Sequence, residues 1–501
     1  MNLVDHLPVL QVILPLLSAP FCILMRGHML AWAVAVVASA AAFAVALQTF
    51  GIVADGTTLT YAVGNWQAPY GIALEVDAFS AIMTLIISGA SLVALLAGLG
   101  SARQQLPEEK QPLFFSAWLL ALAGLLGISV AADAFNIFVF MEISSLASYV
   151  IIAAGPHRKA LGAVFKYLAM GTIGATFYLI GVGLIYMMTG TLNLDDIALR
   201  IADVADKRPV LVAAGFITIG LALKAAVFPL HVWMPGAYNY APHIVSTFLA
   251  ACATKVSLYV LFRFDFLVFQ ANLSEHGYHF SHFLMPLALI AVVFGAIVAT
   301  MAKDLKRLLA WSSVSQIGYI VVGACFTTEA GLASAIMHMF NHALAKGGGF
   351  LIAMGAALYY TTTRFSNLAG LGKEHPWLAA AFVVIGCSLI GVPGTAGFIS
   401  KWMLINAALE QGATGVLIIA VIVFSSLLAV VYVWKVVELF YFAERPEGGS
   451  SGVMEVRKPE MVLFTAMVAL VVAANIWFGI MPGEPMALAM QAAALLTGGA
   501  Q

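Results

Sequence analysis

Charged side chains are scarce in this chain, since Asp, Glu, Lys and Arg make up 9% of 501 residues while 62% are hydrophobic. Soluble domains carry about 25% charged residues, so the composition excludes a soluble domain and predicts a polytopic membrane protein. A net charge of −1 offers no basic surface, and no nucleic-acid partner is expected. The first apolar stretch has no Lys or Arg before Arg26. It therefore lacks the basic region of a signal peptide, and we expect it to be the first span.

Cysteine is also scarce and forms no recognisable motif. The chain has four cysteines, all within apolar stretches, and no two of them form a CxxC pair: Cys22, Cys252, Cys325 and Cys387. Disulfide frameworks and iron–sulfur sites need patterned cysteines. We therefore expect small core residues, with no metal and no cofactor bound by this chain.

Long apolar runs are abundant. A membrane-spanning helix needs roughly 20 mostly apolar residues, and fourteen such stretches are centred near residues 16, 40, 89, 122, 144, 176, 219, 255, 291, 316, 345, 393, 428 and 469. No long polar linker divides them, so we predict an all-α polytopic membrane protein with a single membrane domain, 1–501. Its expected parts are helices 1–3 (1–105), a first repeat of helices 4–8 (106–270), a second repeat of helices 9–13 (278–442), and helix 14 with the tail (459–501).

Basic residues are distributed unevenly between alternate loops. One set holds Arg26, Arg103, Lys110, Arg158, Lys159, Lys303, Lys306, Arg307, Arg364, Lys373, Arg445, Arg457 and Lys458. The other holds Arg200, Lys207, Arg208 and Arg263, together with Asp55, Glu75, Asp77, Asp195, Asp196, Asp203 and Asp206. Lys and Arg collect on the cytoplasmic side. This asymmetry predicts a multi-pass protein of the bacterial inner membrane with both termini on the outer side.

A weak internal duplication is visible. "MEISSLASYVII" in the fifth span aligns with "WSSVSQIGYIVV" in the tenth, with Tyr149 opposite Tyr319. Each copy lies two spans before a helix interrupted by proline, at Pro229 and at Pro393. Because five spans separate the copies, they have opposite orientations, and inverted repeats with paired broken helices are typical of transporters. The alternative is a chance similarity between two apolar helices.

Several ionisable side chains fall inside the spans. Each costs about 2.5 to 3.5 kcal/mol at a helix centre on insertion scales, so their retention favours a function: Glu142, Lys224, Lys255, His338, His342, Lys346, Lys401 and Lys435. Lys435 is better explained structurally, because it lies three residues before Glu438 and near a helix end, where a lysine can snorkel. Lys166 lies near a helix start and is a candidate interfacial anchor.

Lys224 and Lys255 need partners from other helices, because no Asp or Glu occurs between Asp206 and Asp265. Glu142 is the only carboxylate in its span and is the natural counter-ion for one of the two lysines. In a low-dielectric site the attraction of the pair opposes the desolvation of each charge. A lysine in this balance can release or take up a proton when its partner moves, as a proton relay requires.

His338, His342 and Lys346 in "MHMFNHALAK" are spaced i, i+4 and i+8, and therefore share one helix face. The HxxxH spacing could bind zinc. Met339 stands where an HExxH protease has its glutamate, and a lysine continues the stripe. A proton pathway is the favoured interpretation, with bridging waters held by the preceding helix at Ser312, Ser313, Ser315 and Gln316.

The two proline breaks have a common physical logic. Proline removes a backbone donor, and irregular backbone at membrane depth is tolerated only inside protein or beside a wet cavity. "GVPGTAGFISKW" adds Gly394 and Gly397 to Pro393, with Lys401 one helical turn later. A Walker motif would need a Gly-Lys-Ser/Thr end, which is absent. Each break is therefore expected to be a hinge beside a lysine.

These segments resemble a known family. "FMEISSLASY", "KAAVFPLHVWMPGAYNYAPHIVSTFLAACATKVSLY", "DLKRLLAWSSVSQIGY", "HMFNHALAKGGGF" and "GVPGTAGFISKW" are similar to the antiporter-like subunits shared by respiratory complex I and the multisubunit Na+/H+ (Mrp) antiporters. The resemblance runs from about Phe79 to Lys435. It implies a fourteen-helix fold with two inverted five-helix repeats and broken seventh and twelfth helices.

The resemblance also implies residue roles. It implies a half-channel from the cytoplasm, a hydrophilic central axis and an exit to the outside, while Lys346 varies among members. The matching positions are the fifth-helix glutamate Glu142, the paired lysine Lys224 of the broken seventh helix, the connecting lysine Lys255, the eleventh-helix histidines His338 and His342, and the terminal residue Lys401.

Differences within the family favour a member similar to the D-type subunit of the Mrp antiporters. Glutamate at position 142 and lysine at position 401 each disfavour one of the complex I subunits. A third complex I subunit has a long lateral helix after its last span, whereas this chain stops about 23 residues past Phe478. "WMPGAY" resembles the D-type Mrp subunit. Ser257 departs from the glycine that the family often has.

The expected function is proton translocation as one subunit of a multisubunit Na+/H+ antiporter in the lipid bilayer, alongside other membrane subunits and with no catalytic chemistry of its own. Two alternatives remain open. One is the proton-pumping subunit of a redox complex such as complex I or a membrane-bound hydrogenase, where it would be a translocase subunit. The other is an energising subunit for the uptake of another solute, such as inorganic carbon.

Overall fold

The structure, a computed structural model, describes residues 3–25, 27–444 and 457–498. Two of the basic residues counted for orientation, Arg26 and Arg445, lie outside the described residues, as does the end of the predicted tail. Which side of the membrane the termini occupy stays a prediction.

The described chain is almost entirely helical. A two-stranded antiparallel hairpin, β1 (Leu59–Ala62) with β2 (Ala73–Val76), lies between the second and third helices, and a π-helical segment spans Arg263–Gln270. The α-helices are α1 (Leu7–Leu24), α2 (His28–Val53), α3 (Ala78–Gln105), α4 (Gln111–Val130), α5 (Ala134–Ala153), α6 (Lys159–Thr189), α7 (Leu194–Asp203), α8 (Arg208–Lys224), α9 (Met234–Tyr240), α10 (His243–Phe262), α11 (Ala271–Leu273), α12 (Phe280–Thr300), α13 (Leu305–Cys325), α14 (Glu329–Tyr360), α15 (Phe365–Leu368), α16 (Leu371–Glu374), α17 (Pro376–Ile390), α18 (Ala396–Leu409), α19 (Gly412–Tyr441), α20 (Lys458–Ile480) and α21 (Gly483–Thr497).

Eleven helices in the described ranges are long and apolar enough to cross a membrane, which confirms an all-helical polytopic membrane protein. The other three predicted span centres also fall on helices or on a helix break. Residue 219 lies in α8, residue 345 in the polar-striped α14, and residue 393 between α17 and α18. α10 and α13 are almost completely buried, whereas α1, α2, α6, α12, α19 and α20 present large apolar surfaces. The polar stripe of α14 therefore lies in a central layer shielded from lipid.

Both predicted helix breaks are present. α8 ends at Lys224, Ala226 adopts a left-handed φ of 56°, and α9 begins only at Met234. The indole of Trp233 donates to the carbonyl of Leu223 at 3.0 Å, and this carbonyl also accepts from the Ala226 amide at 3.1 Å. Carbonyl groups released by a break need such partners at membrane depth, and this one is supplied by a side chain from the far side of the break.

The second break depends on glycine. Gly391 and Gly394 have φ of 91° and 86°, values that favour glycine over residues with a Cβ. Gly397 lies so close to the end of α17 that a Cβ there would be 1.8 Å from the carbonyl oxygen of Ser388. The glycines of "GVPGTAG" therefore serve chain reversal and close packing of α18 on α17.

The two halves repeat the same local contacts at an offset of 171 residues. Asp133 and Asp304 cap α5 and α13 through their side chains. Each aspartate also forms an antiparallel bridge, with partners that again differ by 171 residues, Asn193 and Arg364. Because α5 and α13 are the fifth and tenth predicted spans, the copies run in opposite directions through the membrane.

Close backbone approaches repeat at the same offset. A Cβ at Gly124 would lie 2.6 Å from the backbone nitrogen of Ser144, and a Cβ at Gly295 would lie 2.5 Å from that of Ser315. In each copy a glycine thus lets the first two helices of the repeat pack backbone against backbone.

This offset corrects the predicted alignment by one residue, because pairing Tyr149 with Tyr319 corresponds to an offset of 170. A shift of one residue turns a helix face by about 100°. The two tyrosines accordingly have different surroundings: the Tyr149 hydroxyl lies against Gly171 of α6, whereas the Tyr319 hydroxyl donates to the carbonyl of Ile422 at 3.3 Å.

Two residues assigned to loops or helix ends are buried in the fold. Lys306 lies in the first turn of α13, is 2% exposed, and donates to the carbonyl of Ala241 at 2.7 Å. Arg263 forms a buried ion pair with Asp77 at 2.6 Å. Neither residue is a solvated loop charge, because helices distant in sequence cover both of them.

Candidate functional site

Glu142 on α5 and Lys224 on α8 form an ion pair. The Lys224 amine donates to Glu142 Oε1 at 3.1 Å and to Ser145 Oγ at 2.9 Å. The lysine side chain is 6% exposed and the glutamate side chain 31%. Of the two lysines that sequence left open as partners of Glu142, Lys224 is therefore the one that bonds to it.

The break in the seventh span positions Lys224. It is the last residue of α8, where the negative end of the helix dipole favours a cation. Its stem packs on α6, since a Cβ at Gly174 would lie 3.3 Å from Lys224 Cγ. The amine is thus directed to α5 from a helix end with little freedom to move.

Lys255 lies deep in α10 and is completely buried. Its amine donates to the carbonyl of Ala250. α10 packs on the helix of His338, His342 and Lys346, since a Cβ at Gly347 of α14 would lie 3.5 Å from Ala251 Cβ. Lys255 is therefore buried on a helix next to the α14 stripe, and its connecting role stays a prediction.

His338 has a hydrogen-bond partner at each ring nitrogen. Nδ1 meets Ser400 Oγ at 2.9 Å, and Nε2 meets Gln316 Oε1 at 2.9 Å. Since Gln316 is on α13 and Ser400 on α18, the imidazole connects three helices. Both nitrogens are already engaged, so this geometry does not favour a zinc ligand here.

His342 is the contrasting case. Its ring is parallel to that of His338, with centroids 6.2 Å apart, and it is 2% exposed. Neither of its ring nitrogens has a hydrogen-bond partner among the described residues. A buried imidazole with two open nitrogens can accept and pass on a proton through a bridging water.

Lys346 continues the stripe one turn further along α14. It is completely buried, and its amine donates to Ser312 Oγ and, at 3.1 Å, to the carbonyl of Leu309. Of the four polar residues proposed on the preceding helix, Ser312 and Gln316 thus contact the α14 stripe directly.

Lys401 closes the cluster at the second break. Its amine donates to the carbonyls of Leu389 and Ile390 at 3.0 and 2.9 Å and to Ser426 Oγ at 3.1 Å. It also lies 4.8 Å from the ring centroid of Tyr319. The lysine therefore binds the carbonyls that the end of α17 leaves free.

The predicted residues form two groups. Glu142 and Lys224 form the first group with Ser145, and no direct bond in the described residues joins this group to Lys255. The second group comprises Lys255, His342, His338, Lys346 and Lys401, which are buried on α10, α14 and α18. Hydrogen bonds between the described residues do not connect the two groups.

Three hydroxyls of the site had no signal in the sequence: Ser145, Ser400 and Ser426. Serines are common in this chain, and only helix packing shows which ones meet a charged side chain.

Lys435 has the structural role expected of it, although by a different contact. Its amine donates to the carbonyls of Thr300 and Ala302, both at 2.9 Å, at the end of α12.

A further polar group near the β-hairpin was not predicted. Glu75, Asp195 and Arg263 line one small cavity beside the Asp77–Arg263 ion pair. Burial raises the pKa of the Glu75 carboxyl to about 7, although Arg263 opposes the shift. Burial also raises the pKa of Asp195. The group could have been suspected only from the number of acids in these loops.

The sequence family described as "NADH:quinone oxidoreductase/Mrp antiporter, TM" matches residues 131–429, more than half of the chain and every residue of the two groups. The chain belongs to this antiporter-like family. The resemblance seen in the sequence is thereby confirmed at the family level.

Individual relatives come from both branches of the antiporter-like family. The N-type subunit of the NADH-quinone oxidoreductase of Desulforudis audaxviator is 41% identical over 462 residues, 89% of this chain and 88% of that protein. The D-type subunit of the Na(+)/H(+) antiporter of Alkalihalophilus pseudofirmus is 32% identical over 407 residues, 81% of each. The expected similarity to the D-type antiporter subunit is present, but a protein named for another complex is more similar.

Two solved structures share the whole fold. A chain of the membrane-bound sulfane sulfur reductase, an archaeal respiratory membrane complex, superposes with a TM-score of 0.87 at 30% identity, covering 98% of both chains. A chain of the Mrp complex from Dietzia sp. DQ12-45-1b gives the same TM-score at 26% identity, covering 100% of this chain and 98% of that one. The antiporter-like membrane fold is confirmed.

Proposed function

We propose that this chain moves protons through the two groups of buried ionisable residues, as one subunit of a multisubunit Na+/H+ antiporter. The path runs from the Glu142–Lys224 pair through Lys255 and the α14 histidines to Lys401. The chain works together with other membrane subunits in the bilayer.

The observation that carries the proposal is the buried cluster on α10, α14 and α18. Lys255 and Lys346 are completely buried, and His338, His342 and Lys401 are at most 5% exposed. Charges in such surroundings are expensive, and among the described residues none of the hydrogen-bond partners of this cluster is a carboxylate. A chain of bases without counter-ions favours movement of a small number of protons over permanent ion pairing.

The Glu142–Lys224 pair supplies a means of coupling. While the pair is closed, the carboxylate stabilises the lysine cation. If Glu142 is neutralised or moves away, Lys224 keeps a buried charge with only a serine partner, which favours release of its proton toward Lys255. Movement of a cation elsewhere in the complex can act on this pair through the electric field.

The test uses everted vesicles containing the complete complex, in which Na+-driven proton exchange is followed with a pH-sensitive dye. Glu142→Gln, Lys224→Met and Lys401→Met should each abolish exchange while the complex still assembles. Lys373→Met, which removes an exposed lysine, is the matched control and should exchange normally. Wild-type exchange in all three site variants would overturn the proposal.

A second candidate is the proton-pumping subunit of a redox complex. It is favoured by the 41% identity to a protein named as a subunit of NADH-quinone oxidoreductase, and the same relay residues would serve it. Purification of the native complex with its partners decides between the two. Flavin- or iron–sulfur-containing partner subunits would support the redox complex, and partners without redox centres would support the antiporter.

A further inference from the structure

A basic cavity lies at the junction between the two repeats, outside both groups of relay residues. Its volume is about 440 Å³, and it is formed by the start of α6, the segment from His231 into α9, and the start of α13. Three cationic side chains line it, and no Asp or Glu does: Lys159, Lys166 and Arg307. None of the three forms an ion pair within the described ranges.

Two residues that line the cavity each carry a buried ring nitrogen without a partner. His231 Nδ1 and Trp311 Nε1 have no hydrogen-bond acceptor or donor within the described chain and are out of reach of solvent, and His231 is only 5% exposed. An indole nitrogen can only donate, and leaving such a group unsatisfied costs free energy. The missing partner of Trp311 is therefore an acceptor.

Aromatic contacts fix the orientation of the imidazole. The His231 ring stacks on Phe228 with centroids 5.2 Å apart and meets the Trp311 ring edge-on at 5.4 Å. Phe294 packs against both rings, at 6.0 and 5.9 Å. The His231 and Trp311 rings thus belong to one packed aromatic group that forms a wall of the cavity.

The surface beside the cavity is apolar. Leu161 and Phe165, on the same helix as Lys159 and Lys166, are 63% and 69% exposed, and Val232, next to His231, is 60% exposed. In a membrane protein such side chains face acyl chains or a neighbouring subunit. The cavity therefore has an exposed apolar surface on one side and the charged ends of α6 and α13 on the other.

We propose that this cavity binds the phosphodiester group of an anionic phospholipid. Arginine and lysine are the usual partners of phosphate oxygens, and basic pockets between membrane helices bind acidic headgroups. Lys159, Lys166 and Arg307 neutralise the charge of the phosphate, and the acyl chains lie along Leu161, Phe165 and Val232. The bound lipid joins the first repeat to the second.

The test measures lipid retained by the purified complex, by native mass spectrometry and by phosphorus analysis after delipidation and re-addition of vesicle lipid. Wild-type complex should retain phosphatidylglycerol in preference to the neutral-headgroup phosphatidylcholine. The double variant Lys166→Gln/Arg307→Gln should lower its affinity for phosphatidylglycerol about tenfold or more.

Lys303→Gln is the matched control, because Lys303 is exposed and precedes α13 without lining the cavity. It should retain as much lipid as wild type. Equal retention of both lipids, or unchanged affinity in the double variant, would overturn the proposal. Displacement of the lipid by millimolar inorganic phosphate would instead show a site for free phosphate and would also overturn it. None of these measurements depends on ion exchange, so they succeed or fail independently of the proposed transport function.

Discussion

The amine of Lys401 donates to the carbonyl of Leu389 across the break between α17 and α18. Lys401 follows its break in sequence, whereas Lys224 precedes its own. Both nevertheless lie at the carboxyl end of the first half-helix, where the helix dipole is negative. The two repeats thus use lysines at different positions in the sequence to place an amine at the carboxyl end of α8 and of α17.

Lys401→Arg separates the capping role of this lysine from proton transfer. Arginine keeps the positive charge and the donors for Leu389, Ile390 and Ser426, but it does not give up its proton in proteins. We expect a complex that assembles and melts near the wild-type temperature yet exchanges no protons. The measurement is dye-monitored exchange combined with a thermal melt. Wild-type exchange by the arginine variant would reduce Lys401 to a structural cap.

Ser400→Ala removes one of the two hydrogen bonds that hold the His338 ring. The loss of a bond of this kind is worth about 0.5–1.5 kcal/mol, so the exchange rate should fall roughly 2- to 10-fold. Ser334→Ala is the control, because Ser334 lies one turn before His338 and, within the part of the chain that the structure describes, bonds only to the carbonyl of Gly331 in its own helix. If both variants slow exchange equally, the Ser400 bond has no specific role.

Gly397→Ala should destabilise the second break. The new methyl group would lie 1.8 Å from the Ser388 carbonyl oxygen, and overpacking of this kind costs about 1–3 kcal/mol. A lower melting temperature of the purified complex is expected. Gly183→Ala, in the middle of α6 with nothing within 4 Å of the new methyl, should leave the melting temperature unchanged or raise it slightly. Equal melting temperatures for the two variants would contradict the close approach of α18 to α17.

Glu75 lies in the β-hairpin, outside the membrane-spanning helices, and it should make the stability of the folded protein depend on pH. Its pKa is raised from 4.5 to about 7, so the folded protein binds this proton more tightly than the unfolded chain does. The resulting stabilisation is complete below about pH 4.5 and is lost as the pH rises through about 7. Glu75→Gln should flatten this part of the melting curve against pH. Glu109→Gln, at an exposed glutamate, should keep the wild-type slope, and a wild-type slope in Glu75→Gln would refute the assignment.

The helical layout could be predicted because a span has a strong local signal. About 20 apolar residues, or a proline with glycines inside such a run, identify a helix or a break without knowledge of its neighbours. The fourteen centres and the breaks near Pro229 and Pro393 follow from this alone. The one-residue error in the repeat alignment arose because serine and tyrosine matches are less specific than capping residues such as Asp133 and Asp304.

Pairing within the site could not be predicted to the same degree. Sequence showed that Glu142 needs a lysine partner, but the choice of Lys224 depends on how α8 packs against α5 and α6. Ser400 and Lys306 show in different ways that the surroundings of a side chain depend on helix packing, which the sequence does not give. Ser400 is an ordinary residue that packing brings to His338, and Lys306 resembles a loop charge until the backbone of Ala241 is folded over it.

The backbone contacts at Gly124 and Gly295 have a mechanical consequence. They clamp α4 to α5 and α12 to α13, so each repeat contains a stiff pair of helices that cannot slide without a steric clash. The first half-helix of the broken seventh span is held in the same way against α6, because a Cβ at Gly220 would lie 2.6 Å from the carbonyl oxygen of Gly174. A shift of α8 along α6 would meet the same kind of clash.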